Sequence, residues 1–512
     1  MKKQKQEEYR GFRTAGIRLT EELLSDVVWG SSQYEASQLY AYHMFDKAHL
    51  VMLAEEEIIP LRDAALMLSG LREMEEKGIE KVRMEVGGGM YSGEVYLIRK
   101  LSEEVGGRIH LGRSSADMGK VGDKIRQRDR LLDVMEAVNE YREALLKIAL
   151  KHVATVMPGY THGQHAQPTT LGHLLVAYAS AISRDFARSG AAYYRINMSP
   201  AGAAIMTGSN FPINRKRTAE LLGFERPCGN TLDAVHNYDD MMEVFSVIAI
   251  LHLNLSRFAD DVIFWTGSEV GMVEIPDRFC VTSSILMQKK NANALEHIGG
   301  AAACTIGGLV TAFVGERKPT GLSITPRNYY SRPALFKTFD DVLRDLKWLT
   351  ILIQDIKVSK DIMKQRAGAY WAQATDIAGA LVKDKKMPWR TAHQIVGILV
   401  RLSQERGFAP CNVNTKLLDE AAMEYMGEPV GLSEESLRKA LDPFEFVSGR
   451  TLYGGPAPEE VRKQIGELGK ELKQDKKTVA DMRAHLQEAS GKLEKAVDTI
   501  IMDSRQPSHL LN

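Results

Sequence analysis

Two stretches of the chain, Asp123 to Met157 and Asn230 to Thr266, contain neither glycine nor proline and repeat apolar residues at intervals of three and four. The first carries Leu131, Val134, Val138, Tyr141, Leu145 and Ile148, the second Val244, Val247, Ile248, Leu251, Leu255 and Phe258. This spacing predicts helical rods roughly 50 Å long at 1.5 Å per residue. Rods of that length cannot bury their apolar stripes in a compact single-chain globule, so they must line up beside one another or beside another subunit's. Strand signals are scarce. The fold expected is therefore all-α, with a central bundle of long helices, and oligomeric.

Changes of texture divide the chain into a helical segment 1–113, the long-helix segment 114–365, a segment 366–460 of shorter helices broken by Gly and Pro, and a tail 461–512. In the tail Val461, Ile465, Leu468, Leu472, Val479, Met482, Leu486, Leu493 and Ile500 keep a near seven-residue beat. It is expected to fold back on the body or self-associate, with its charges as a solvated face. Lys plus Arg equals Asp plus Glu at 66 each, so no global field attracts nucleic acid or an acidic membrane. A small molecule or another copy of the chain is the expected partner. The four cysteines lie far apart without CxxC spacing, which argues against a zinc site or disulfide framework and fits a reducing cytoplasm. The charged start MKKQKQEEYRG leads into no apolar stretch and reads as no secretory signal. The most apolar windows, around 244–255 and 299–314, read as too short or too broken to span a bilayer. His43 and His49 are expected to pack rather than ligate, and Gly87-Gly88-Gly89, with no GK[ST] after it, is read as a turn.

Chemistry concentrates in residues 282–296, where Ser283, Ser284, Lys289, Lys290 and Asn291 precede an apolar helix start. A serine becomes a base only when cations and N–H donors hold its alkoxide, and a lysine six residues away can be one of them. From the residues alone the stretch also reads as a solvated Ser/Lys loop. Two further polar segments, His110 to Asp117 (HLGRSSAD) and Pro158 to Pro168 (PGYTHGQHAQP), fall where long helices should end. Helix ends so far apart in sequence meet only between different rods or subunits, so a composite site is expected.

These segments carry a resemblance. PGYTHGQHAQPTTLGH is similar to the PGYTHLQ-AQP segment of the argininosuccinate lyase branch of the fumarase/aspartase superfamily, and SSILMQKKN resembles the superfamily signature GSSxMPxKxN. HLGRSSAD resembles HTGRSRND, and SPAGAAIMTGSNFPINR, NTLDAVHNYD, ATDIAGALV, WRTAHQIVG and GGPAPEEV follow in the family's order over about residues 30–465. The tail lies beyond the family's usual end. The resemblance implies a three-domain, all-helical homotetramer without metal or cofactor, each site built from three subunits, and reversible anti β-elimination of fumarate from a succinyl group. It implies Ser283 as base with Lys289 and the loop's backbone N–H groups behind it, His162 as general acid or relay, and Glu296 as the group that orients its imidazole. Lys289 and Asn291 would bind one succinyl carboxylate and Thr161 and Ser114 the other, with Ser115, Gln288 and Arg332 as further substrate contacts. Arg113 and Asp117 are read as structural ion-pair formers.

The departures lie on the substrate-binding side. Ser115-Ala116 stands for the family's Arg-Asn, Phe45-Asp46 for Gly-Ser, Asn237-Tyr238-Asp239 for Asp-Arg-Asp, Leu286-Met287 for Met-Pro, and Ala292 for a proline. A substrate-facing tyrosine falls near Pro326, and Arg332 takes a lysine's place. The expectation is a lyase for argininosuccinate or another N-succinyl amino compound; the alternative is a catalytically inactive structural homotetramer of the same fold.

Overall fold

The computed structural model describes residues 35–317 and 325–505, the side chains of 325–331 excepted. The amino-terminal segment, Thr320-Gly321-Leu322 and the Pro326 ring lie outside the described residues. The longer helices are α1 Ala36–Glu55, α2 Leu61–Lys77, α3 Ser115–Lys151, α4 Leu171–Ile196, α5 Asp239–Thr266, α6 Asn293–Glu316, α7 Thr325–Asp355, α8 Ala374–Lys385, α9 Trp389–Glu405, α10 Thr415–Met426, α11 Glu434–Leu441 and α12 Pro458–Asp503. The described strands are few and short, so the all-α class holds.

Helices α3 to α7 form the bundle, and side-chain pairs fix their directions. Lys124 meets Asp240 and Tyr141 meets Phe258, so α3 and α5 run the same way. Arg332 on Asp123 and Asp340 on Arg130 give α7 that direction too. Asp185 meets Asn254 and Tyr178 meets Asp261, and His252 hydrogen-bonds Thr305 while Phe245 lies against Gly308, so α4 and α6 run back. A core of Leu131, Val138, Leu145, Leu175, Ile248, Leu255, Phe339 and Leu346 fills the middle. Helix α3 passes through Gly119 and Gly122, which the sequence reading left outside the rod. The Tyr42 ring lies 2.6 Å from where a Gly122 Cβ would be, so the glycine there admits α1 against α3.

Three sequence expectations need correction. The first rod stops at Lys151 rather than Met157, because Val153, Thr155 and Val156 are β-branched and pass into a strand. The second is broken at Asn237-Tyr238, between a short helix Thr231–His236 and α5. No glycine or proline causes that break: Lys120 Nζ takes the Asn237 carbonyl and Lys124 Nζ the Asp240 carboxylate at 2.6 Å. Third, α5 and α6, at 28 and 24 residues, are long and apolar enough to cross a membrane, since each extends past the window first read. Helix α5 is mostly buried within the bundle, whereas α6 keeps an open apolar face.

The tail is the 46-residue α12, laid antiparallel along α3. Its Val461, Leu472 and Val479 join the central core, while Leu493, Val497 and Ile500 join a second core with Leu50, Leu53, Leu68 and Leu71. A third core, Ile377, Leu399, Leu418 and Leu437, belongs to α8–α11. The tail's charges are only partly a solvated face: Asp475 pairs with buried Arg142 and Glu494 with buried Lys47, each at 2.5 Å. Truncating Leu493 to alanine, at a fully buried position, should cost about 2–5 kcal/mol in equilibrium urea unfolding. A change under about 0.5 kcal/mol would mean that the tail is not docked.

Candidate active site

The segment between α3 and α4 is a β-hairpin, β1 Val156–Thr161 and β2 Gln164–Thr170, with Thr161 opposite Gln164 and Tyr160 opposite His165. A two-residue turn of type I′ needs positive φ at both positions, and His162 and Gly163 have φ of 53° and 73°. Gly163 adopts this freely, while His162 carries a strain of about 1–2 kcal/mol. Strain of this kind gathers at functional sites. Thr161, His162, Gly163 and Gln164 are all exposed at the tip.

The stretch after α5 is a loop on a two-rung base, Val281–Thr282 against Lys290–Asn291. Lys290 locks the base, its Nζ 2.6 Å from Asp277 and 3.2 Å from Glu274. The hydrogen bond to Asp277 is the main reason its pKa lies above the ordinary lysine value. Inside the loop the Ser283 hydroxyl accepts N–H groups from Leu286 at 3.0 Å and Ile285 at 3.3 Å. Donors aimed at this oxygen favour the alkoxide over the alcohol. Gln288 and Lys289 are exposed, as are the apolar side chains of Ile285 and Met287. Asn291 is half-buried at the base, and Glu296, in the first turn of α6, lies 3.5 Å from the Asn293 amide. Within one chain no hydrogen bond joins Glu296 to His162 among the described residues.

At the start of α3, Ser114 is the N-cap and Ser115 the first helical residue. Asp117 accepts the Ser114 N–H at 2.8 Å and those of Gly202 and Ala204 at 3.0 and 3.2 Å, tying the helix start to the following loop. Burial lifts the Asp117 carboxyl to about 6 against these three donors. Arg332 is largely buried, its Nε 2.9 Å from Asp123, and its guanidinium also meets the Tyr238 ring. Burial lowers this group's pKa, but the Asp123 carboxylate and Tyr238 outweigh it and hold the pKa above the ordinary value. Lys120 Nζ sits 3.4 Å from the centre of the same ring. Sequence reasoning missed Lys120; the signal was its place one turn beyond Ala116 on the same helix face.

The structure thus sorts the expected residues into two groups. Thr161 and His162 lie beyond the carboxyl end of α3, and the Ser283 loop with Lys289, Asn291 and Glu296 lies between the end of α5 and the start of α6, at the same end of the bundle. Contact of Tyr160 with Phe264, ring centres 5.1 Å apart, confirms that neighbourhood. Ser114, Ser115 and Arg332 belong to the opposite end. The 37 residues of α3 separate the two groups by about 55 Å within one chain.

Asp46 stands where the resemblance expects a serine, and it is sealed. Its carboxylate is fully buried, 2.5 Å from Arg83 and 2.6 Å from Arg113. Burial alone would raise its pKa, but Arg113 and Arg83 outweigh burial and hold the carboxyl below the usual range. Among the described residues no group of three or more His, Cys, Asp or Glu is placed to hold a metal ion.

Residues 19–307 match a family model described as lyase, and residues 371–448 match the argininosuccinate lyase C-terminal model. The chain is 37% identical over 455 residues to the argininosuccinate lyase of Methanothermobacter thermautotrophicus, covering 87% of this chain and 97% of that one. It is likewise 37% identical over 441 residues to that of Methanosarcina barkeri, covering 86% and 88%. Among solved structures, EDDS lyase in complex with formate superposes with a TM-score of 0.86 at 31% identity, covering 93% of this chain and 94% of that one. Class II fumarase from Schistosoma mansoni, at 14% identity, TM-score 0.67 and coverage of 81% and 91%, shares the fold. The protein is a lyase of the fumarase/aspartase fold. Within that class the chain belongs to the argininosuccinate lyase family, whose members break carbon–nitrogen bonds. The match to EDDS lyase leaves 7% of this chain uncovered, fewer residues than α12 contains, so that structure has counterparts for part of the tail.

Replacing Asp46 with serine should destabilise the protein by about 3–5 kcal/mol, because two buried guanidinium groups lose their counter-charge. The depressed carboxyl contributes stability that is present above about pH 4 and lost as pH falls through its lowered value. Urea unfolding across pH should show this acid limb in the wild type and not in Asp46→Ser; equal stability of the two would contradict the clamp.

Proposed function

We propose that the protein catalyses reversible anti β-elimination of fumarate from an N-succinyl amino compound, argininosuccinate or a close relative of it, at sites shared between the copies of a cytoplasmic homotetramer. The observation that carries the chemistry is the Ser283 hydroxyl, held by two backbone N–H donors on an exposed loop at the start of α6. A proton next to a carboxylate is very weakly acidic, so its removal needs an activated base and donors for the dianion that forms. Ser283 takes that proton, the carbon–nitrogen bond breaks as the double bond forms, and His162 supplies a proton to the departing nitrogen. Lys289 and Asn291 hold one carboxylate of the succinyl group and Thr161 and Ser114 the other, with Gln288 and Ser115 beside them. Glu296 orients the His162 imidazole.

The separation of the two groups supports the shared site. Ser114 cannot reach His162 or Ser283 of its own chain across the length of α3, so the three meet only when copies pack together. Helix α6 supplies the surface for that packing. Ile306, Val310, Phe313 and Val314 fall on one helical face at 42–67% exposure, beside exposed Ile250 and Leu253 of α5.

The half that reads the amine is altered. Ser115 and Ala116 offer no guanidinium or amide, while Lys120, Tyr238 and Arg332 gather one to two turns along α3. A polar site discriminates through its hydrogen bonds, so these changes redirect the amine specificity. Ala116 also favours a second reading, an inactive scaffold of the same fold, since the side-chain amide that would hold the substrate is missing there.

Ultraviolet absorbance of fumarate, followed over a panel of N-succinyl amino compounds including argininosuccinate, separates the readings. The expected result is release from at least one, reduced about 10²–10⁴-fold in kcat by Ser283→Ala. No release from any compound by the folded protein would leave the scaffold reading standing.

A further inference from the structure

The hairpin that presents His162 is gripped from outside. Tyr160 and His165, the cross-strand pair below the turn, meet edge to face with ring centres 5.0 Å apart, and His165 lies 4.6 Å from the ring of Tyr370. Tyr370 is 72% exposed, so burial does not explain its place. Its backbone is left-handed, with φ of 52°, and Trp371 follows with 62°. Two successive aromatic residues in that region are rare, and such outliers persist only where the surroundings over-determine them. Here the fully buried Gln373 donates its amide to the Ala367 carbonyl at 2.7 Å, and the Ala374 N–H closes on the Trp371 carbonyl at 3.0 Å. The same segment holds β2 directly, through Gln167 Nε2 on the Thr375 hydroxyl at 3.2 Å. The His165 ring packs against both Tyr160 and Tyr370, and the Arg366 backbone also hydrogen-bonds it.

We propose that Tyr370 is a positioning residue for His162, its ring clamping His165 so that the strained two-residue turn presents the imidazole at one angle. The ribbon is also held by Tyr160 against Phe264 and by Val156 packed with Ala367, Phe446 and Val447, and Tyr370 adds the contact on the His165 side of the turn. The clamp acts through packing, so the phenol hydroxyl has no part in it. The proposal rests on His162 serving the proton transfer to the departing nitrogen.

The test uses the full-length protein and an N-succinyl compound from which the wild type releases fumarate. Misplacing a catalytic group by about 1 Å can cost about 100-fold, so Tyr370→Ala should lower kcat about 10–100-fold with KM within about threefold. Tyr370→Phe, which keeps the ring, should restore the rate. Combining Tyr370→Ala with His165→Ala should cost no more than the larger single loss, because the two residues act as one contact. Wild-type kcat in Tyr370→Ala overturns the proposal. A Tyr370→Phe variant as slow as Tyr370→Ala overturns it in favour of a direct role for the hydroxyl, and a rate loss that tracks a lowered melting temperature makes Tyr370 a stability residue instead. If the wild type releases no fumarate from any compound, the failure belongs to the functional reading and not to the clamp.

Discussion

The apolar face of α6 that a single chain leaves open is the constraint on which the rest depends. Rods long enough to keep Ser114 and His162 about 55 Å apart cannot close around themselves, and α6 is wedged against α5 and α7 on one side only. Covering Ile306, Val310, Phe313 and Val314 with another copy removes apolar area from water. In the proposed assembly it also brings helix ends from different chains together. Burial and catalysis therefore share one surface in this reading, and a chain that failed to assemble would lose both.

The ends of the rods are built differently from their middles. The middles are held by interlocking apolar side chains and by the buried His252, Thr305 and Asp345 contacts. The ends are held by local polar devices: Asp117 on three N–H groups, Ser283 on two, the Lys290 lock, and the left-handed His162. Such devices set a geometry without filling space. The Asp46 clamp is the exception, spending a carboxylate on two arginines where the family resemblance expects a substrate contact.

Much of this was legible in the sequence, for reasons that also mark its limits. Gly- and Pro-free periodicity revealed the rods, and the motif order located the hairpin and the Ser283 loop. The break at Asn237-Tyr238 was not legible, because it is made by Lys120 and Lys124 from more than a hundred residues away. The passage of α3 through Gly122 depends on the Tyr42 ring, also remote in sequence. The tail's charges looked like a solvated face because their partners Lys47 and Arg142 lie in other helices. Likewise, nothing local in Ala369 to Gln373 signals that Tyr370 and Trp371 are left-handed.

Mixing two disabled chains tests the shared site most directly. Ser283→Ala removes the proposed base at one end of the bundle, and Ser115→Glu places a repelling carboxylate at the other while suiting a helix N-terminus. Each variant alone should release almost no fumarate. After joint unfolding and refolding, mixed assemblies should regain a measurable share of wild-type activity, since some sites then draw Ser283 from one chain and Ser115 from another. Mixed assemblies that form and remain as inactive as either parent would contradict a site shared between chains.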